Sequence, residues 1–333
     1  MKIFVPFLAI FGLSFAPVAS ALSQECGEVT IANMNWQSGE LLAHVDKIIL
    51  SKGYGCKAEL VAGDTVPSAI SMIEKGSPDI IPESWVNVIP DIIAQGLAEE
   101  RIIVATDSLP DGGVNGLWMP AYIVEDYPDI KTLQDVLKNP KAFPHPEDQN
   151  KGAIVTSPAG WGAVTIIEQL FKANKGKESG FELIDPGSSA GLDGSLIRAY
   201  ERRQGWVGYY WSPTSLLGKY PMVRVDLGAP YDEQEWKRCI TVADCPDPQL
   251  TEWPLEKVQT LVTTSFAARA GGDVMAYLEK RNWSNELVNQ LLAYMADNQA
   301  TGEEGARYFL ATHPDVWQSW VPADIAAKVM ADL

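Results

Sequence analysis

The sequence predicts an α/β protein of two lobes joined by two chain crossings. Short apolar runs alternate with helical patterns along most of the chain, the pattern of parallel sheets covered by helices on both faces. Roughly 310 residues follow an export-type leader, more than one ordinary core accommodates. Tryptophans recur at the expected strand ends, where open α/β sheets hold their ligands.

The chain opens Met1-Lys2, runs apolar over residues 3–18 and continues Ala19-Ser20-Ala21. A charged start, an apolar core and a small-x-small site describe a cleavable signal peptide over residues 1–21. The apolar run is short for a membrane span and no basic stop follows it. No Leu-small-small-Cys precedes Cys26, so a soluble exported protein starting near Leu22 is expected.

In the first lobe (22–117) we expect strand 29–32, helix 39–50, strand 58–61, helix 67–75, strand 79–82, helix 86–95 and a strand near 102–104. A strand-like run over 117–124 carries the chain into the second lobe, 118–212. That lobe is expected to hold helix 133–138, strand 153–155, a helix after Trp161, strand 181–184, helix 192–203 and strand 206–210, with 139–152 a surface loop. The return crossing falls at 207–213, and 213–333 completes the first lobe with strand 222–225, a cysteine loop and C-terminal helices. Ser284, and Thr301 three residues before Glu304, mark helix starts there.

With 26 basic and 43 acidic residues the net charge is -17, which argues against nucleic acid and anionic membrane as partners. The 4 cysteines are an even number suited to an oxidising compartment. Cys239 and Cys245 can close a small loop, and Cys26 and Cys56 each precede an expected strand, so these pairs are favoured among three pairings. No CxxC occurs and the 3 histidines (His44, His145, His313) are scattered, so no metal is expected. No phosphate-binding Gly-rich loop is present, and no cofactor is expected.

The stretch Ile154 to Ala163 reads as a strand, a small-residue turn and a helix start. Such a start leaves N–H groups that favour an anion, and the Trp161 face attracts a cation. Of 11 tryptophans, Trp36, Trp85, Trp118, Trp161 and Trp211 fall at strand ends or crossings. We assign Trp283, Trp317 and Trp320 to packing and leave Trp206, Trp236 and Trp253 unassigned. A trimethylammonium group has no N–H, so aromatic faces must hold it, at roughly 2 kcal/mol each when desolvated. Three or four faces approach the ~8 kcal/mol of a micromolar binder. Glu40, Asp64, Glu83 and Asp111 lie near the expected cleft, but read more naturally as caps or turn residues.

Gly187-Ser188-Ser189-Ala190-Gly191 matches the Gly-x-Ser-x-Gly pattern of hydrolases. Asp185-Pro186 separates it from the preceding strand and only His313 lies downstream, whereas a nucleophile elbow needs a strand directly before it and an acid, then a histidine, after it. A Gly/Ser turn is the better reading. An exported choline-ester hydrolase using Ser189 is the alternative from another class.

The leader, the two crossings and the spaced tryptophans resemble the glycine betaine/choline-type substrate-binding proteins of ABC transporters. The resemblance covers essentially the whole mature chain. It implies a type II periplasmic-binding-protein fold, a non-enzymatic monomer in the periplasm and an inner-membrane permease as partner. In betaine-binding members three tryptophans cage the ammonium, which implies Trp85, Trp161 and Trp211 here, with the N–H groups of Gly162 and Ala163 on the carboxylate. Relatives that bind choline or trimethylamine oxide have a four-sided box, whose extra walls would be Trp36 and Trp118. The choline-type acidic residue is replaced by Ser38, and a histidine of some betaine binders by Ile89. Glycine betaine therefore leads, ahead of trimethylamine oxide, dimethylsulfoniopropionate and choline. A role in ligand-dependent signalling rather than transport is equally compatible with the residues.

Overall fold

The computed structural model describes Met1 and residues 26–333, so the expected signal peptide lies outside the described residues. In chain order the strands are β1 (Glu28–Met34), β2 (Lys57–Gly63), β3 (Ile80–Trp85), β4 (Ile102–Pro120), β5 (Gly152–Val155), β6 (Phe181–Ile184), β7 (Gly208–Ser212), β8 (Met222–Arg224) and β9 (Glu256–Thr263). They run in the order β2-β1-β3-β9-β4-β7-β5-β6, with β8 also on β4. At one end β2, β1 and β3 are parallel, and at the other β6, β5 and β7 are parallel. The strands between them, β9 and β4, pair antiparallel. This is a mixed sheet in two parts, the two-lobed α/β architecture that the sequence leads one to expect.

β4 is the element both halves share. Its first part, Ile102 to Gly113, pairs with β9, and its second part, Val114 to Trp118, pairs with β7. The sequence suggested two separate strands, near 102–104 and 117–124. Instead the strand runs on for 19 residues, and the register slips between Leu109 and Gly113. Gly112 takes φ +74° there, a conformation a side chain would oppose. The crossing therefore lies at Gly113/Val114, and Ala121–Asp126 is helix rather than strand.

A second correction concerns residues after Pro213. β8, expected in the first lobe, pairs with Trp118–Pro120 beside β7. The segment behind it packs on the helix Ala163–Ala173, where Gln169 donates to the Val242 carbonyl and Lys172 to that of Cys245. The same stretch also touches the first half, where Ser215 donates to Gln37 and Trp236 to the Asn87 carbonyl.

Helices cover the sheet with their apolar spacing facing inward. Gln37–Ile48 buries Leu41, Leu42, Val45 and Ile48, the i, i+4, i+7 stripe that its sequence offers. One charged pair is fully enclosed: Arg281 Nε lies 2.8 Å from Asp46 Oδ1, both side chains 0% exposed. Tyr277 also donates to Asp46, and Arg281 donates to Thr260 on β9 at 2.7 Å. Burial pushes the Asp46 carboxyl up and Arg281 pulls it back.

The cysteines pair Cys26–Cys56, across the starts of β1 and β2, and Cys239–Cys245, with Cα separations of 5.1 and 5.3 Å. Among the described residues no helix is long and apolar enough to cross a membrane.

Candidate functional site: an aromatic box between the two halves

Four tryptophans and a tyrosine converge where the strands end. Trp36 follows β1 and precedes the helix Gln37–Ile48, Trp85 ends β3, Trp161 stands in the turn after β5, and Tyr209 and Trp211 project from β7. With Asn115, Thr65, Val88, Gly162 and Ala163 they line one tight pocket.

The rings meet as walls. Trp161 lies at 76° to Trp36 with centroids 5.5 Å apart, and at 80° to Trp211 at 5.1 Å. Tyr209 stacks nearly parallel to Trp211, at 22°. Polar edges are tied away from the space. The indole N–H groups of Trp36 and Trp85 both donate to Glu83 Oε1, at 2.8 and 2.9 Å, and the Ser38 hydroxyl joins them at 3.0 Å. Trp161 donates to Asn35 Oδ1 at 2.8 Å, and the Tyr209 hydroxyl to Asn115 Oδ1 at 2.8 Å. What remains facing inward is mainly π surface, whose quadrupole attracts cations.

The turn carrying Trp161 is seated on the other half of the molecule. Val66 N–H donates to the Gly160 carbonyl at 3.1 Å. A Cβ on Gly162 would stand 2.7 Å from the Val88 carbonyl oxygen, so only glycine lets the chains approach this closely. The helix Ala163–Ala173 starts here without a side-chain cap. Its first N–H groups have no intrahelical acceptor, and Gly162 and Ala163 line the cavity. An anion suits that rim.

Two carboxyls behind the rings are fully buried. Burial pushes Glu83 up against its three hydrogen bonds and Arg281, which lower it. Glu256, on β9 opposite Gly113, accepts from Trp253 Nε1 at 2.7 Å and is pushed up to about 7 by burial.

The structure brings Trp36, Trp85, Trp161, Gly162, Ala163 and Trp211 around one space. Trp118 is not there: its indole N–H donates to the Tyr210 carbonyl at 3.1 Å, because its stretch of β4 is flanked by β7 and β8 beyond the cavity. Tyr209 and Asn115 were missed. Tyr209 precedes Trp211 by two residues, so strand alternation alone puts both on one face. Glu40, Asp64 and Asp111 do serve as caps, accepting from the backbone N–H of Gly302, Thr65 and Asn285. Glu83 does not cap anything and lies beneath the box. In the Gly-x-Ser-x-Gly stretch Ser188 caps the helix Ser189–Glu201, and His313 instead stacks on Phe309. Trp236 donates to the Asn87 carbonyl and Trp206 to Ser195.

Two outcomes follow from this geometry. A Cβ at Gly113 would lie 2.1 Å from the Trp85 ring, so Gly113→Ala should displace that wall; fluorescence titration should show affinity for any caged ligand at least tenfold weaker. Glu256 holds its proton more tightly folded than unfolded, so its contribution costs nothing below about pH 4.5, grows unfavourable as pH rises from there to about 7, and levels off above it. Glu256→Gln should therefore raise stability at about pH 8 by on the order of 2–3 kcal/mol, with the gain vanishing near pH 4.5. Urea unfolding across pH checks this, and a pH-independent difference contradicts it.

The family described as "Substrate binding domain of ABC-type glycine betaine transport system" matches residues 27–312. No curated protein matches the chain. Among solved structures, the fold is similar to the glycine betaine, L-proline ABC transporter's binding protein from Borrelia burgdorferi (TM-score 0.70, 17% identity, covering 91% of this chain and 99% of that one). It is also similar to an ABC-transporter choline binding protein in complex with choline (0.72, 18%, 92% and 98%). A third is the lactococcal protein in its closed-liganded conformation with glycine betaine (0.68, 18%, 89% and 100%). The chain belongs to the family of substrate-binding domains of ABC-type glycine betaine transport systems.

Proposed function

We propose that this protein captures a small methylated osmolyte, glycine betaine first, in a tryptophan cage and delivers it to an ABC permease in the inner membrane. One observation carries the reading. Trp36, Trp85, Trp161, Tyr209 and Trp211 line one tight pocket together with Gly162 and Ala163, which stand at the start of the helix Ala163–Ala173. A trimethylammonium group cannot be held by hydrogen bonds, and stacked π faces hold it by charge–quadrupole attraction and contact. The adjacent N–H groups suit a carboxylate. Together they complement a zwitterion whose charges are one methylene apart. The choline binding protein and the lactococcal glycine betaine complex share the fold, which is consistent with this class.

Binding ends in closure and hand-over; no bond is made or broken. The exported chain works as a monomer in the periplasm after losing its leader. Trimethylamine oxide and dimethylsulfoniopropionate fit the same cage and rank next, because each pairs a methylated onium with an oxygen anion. Choline ranks last, since Ser38 stands where an acidic contact is expected and is itself spent on Glu83.

Calorimetric titration with these four compounds tests the reading. Micromolar binding of glycine betaine is expected, and no binding below millimolar by any of them would falsify the ligand class. Trp85→Ala and Trp211→Ala should each weaken binding more than tenfold, since each removes a desolvated wall worth about 2 kcal/mol; unchanged affinity sinks the cage.

A further inference from the structure

We infer that Glu83 sets the cation selectivity of the box, both by fixing two of its walls and by placing a carboxyl with no ion-pair partner of its own behind their rings. The inference rests on the cage reading above and concerns a residue that is not itself part of the pocket lining but holds two residues that are. One oxygen, Oε1, accepts the indole N–H groups of both Trp36 and Trp85 and the Ser38 hydroxyl. Two rings from different elements thereby share one anchor, which fixes their mutual angle. A carboxylate hydrogen-bonded to an indole edge also pushes electron density toward the ring face, strengthening its hold on a cation.

The charge inventory makes the second half of the argument. Among the described residues Asp46, Glu83 and Glu256 are at most 1% exposed, against one equally buried cation, Arg281. Arg281 is committed to Asp46 at 2.8 Å. Neither Glu83 nor Glu256 forms an ion pair, and Oε2 of Glu83 has no hydrogen-bond partner among the described residues. A buried charge without a partner is costly and favours the protonated form. A cation arriving in the box supplies the missing partner across the rings, so Glu83 should ionise as the ligand binds.

The groups facing Glu83 from neighbouring elements limit what else could titrate. The helix Gln37–Ile48 brings Asp46, bound to Arg281, and Ser38, which does not titrate in this range. The helix Gly272–Lys280 and its C-cap bring Tyr277, held well above its ordinary value by burial, and Arg281. β9 brings Glu256, which burial pushes up to about 7 and which must be controlled.

The test compares glycine betaine with 3,3-dimethylbutanoate, which has the same shape and carboxylate but carbon in place of the ammonium nitrogen. Glu83→Gln keeps an oxygen acceptor for both indoles and removes the charge. We expect the wild-type preference for glycine betaine over the isostere to shrink at least tenfold in Glu83→Gln, while affinity for the isostere stays within about threefold. Equal losses for both compounds, or an unchanged preference, overturn the inference. As a readout that a purely structural role would not move, the preference should fall in a Glu256→Gln background as pH is lowered, with proton release on binding. That pH series decides the question if Glu83→Gln fails to fold: a flat preference overturns it. If the unmodified protein binds no trimethylammonium compound, the cage reading itself fails, and this inference with it.

Discussion

The indole of Trp161 stands nearly perpendicular to those of Trp36 and Trp211, and the box exists only while that ring is held there. Its N–H reaches Asn35, a residue at the end of β1 in the other half of the molecule, and Gly160 and Gly162 let the turn come down on Val66 and Val88. Assembly of the site and closure of the two halves are therefore one event. An opening that separated Trp161 from Asn35 would remove a wall and expose the remaining faces to water, where charge–π attraction is weakest. Under the proposed function this coupling lets a ligand that completes the box stabilise the closed form by its differential affinity for that form.

β4 makes such coupling mechanically simple. One strand belongs to both halves, with its pairing handed from β9 to β7 around Gly113 and Val114. The same point supports the box, since Gly113 backs the Trp85 ring and Asn115 orients Tyr209. Buried acids lie on either side of this junction, Glu83 on β3 and Glu256 on β9. An interior that encloses more carboxyls than cations favours their protonated forms, and under the inference above Glu83 ionises only when a cation enters the box.

Much of this was legible in the sequence. Alternating apolar runs gave the α/β order, and the spacing of Trp36, Trp85, Trp161 and Trp211 at strand ends picked four walls of the cavity. The misreadings have local causes. Pro110-Asp111-Gly112-Gly113 carries every mark of a turn, yet long-range pairing with β9 keeps it extended, because ladder hydrogen bonds override local propensity. Trp118 sits in the right strand but on a stretch flanked by β8, and no local pattern announces that β8 returns to β4. Tyr209 could have been found from its i, i+2 relation to Trp211. Glu83 was placed near the cleft but read as a cap or turn residue, and only the convergence of two indole edges on it shows its buried place.

The most direct measurement is a crystal structure of the protein with glycine betaine. The proposed function requires the methyl groups to pack on the faces of Trp36, Trp85, Trp161 and Trp211, and the carboxylate to accept from Gly162 and Ala163 N–H. A ligand bound outside the box, or inside it with the carboxylate against the rings, would contradict it.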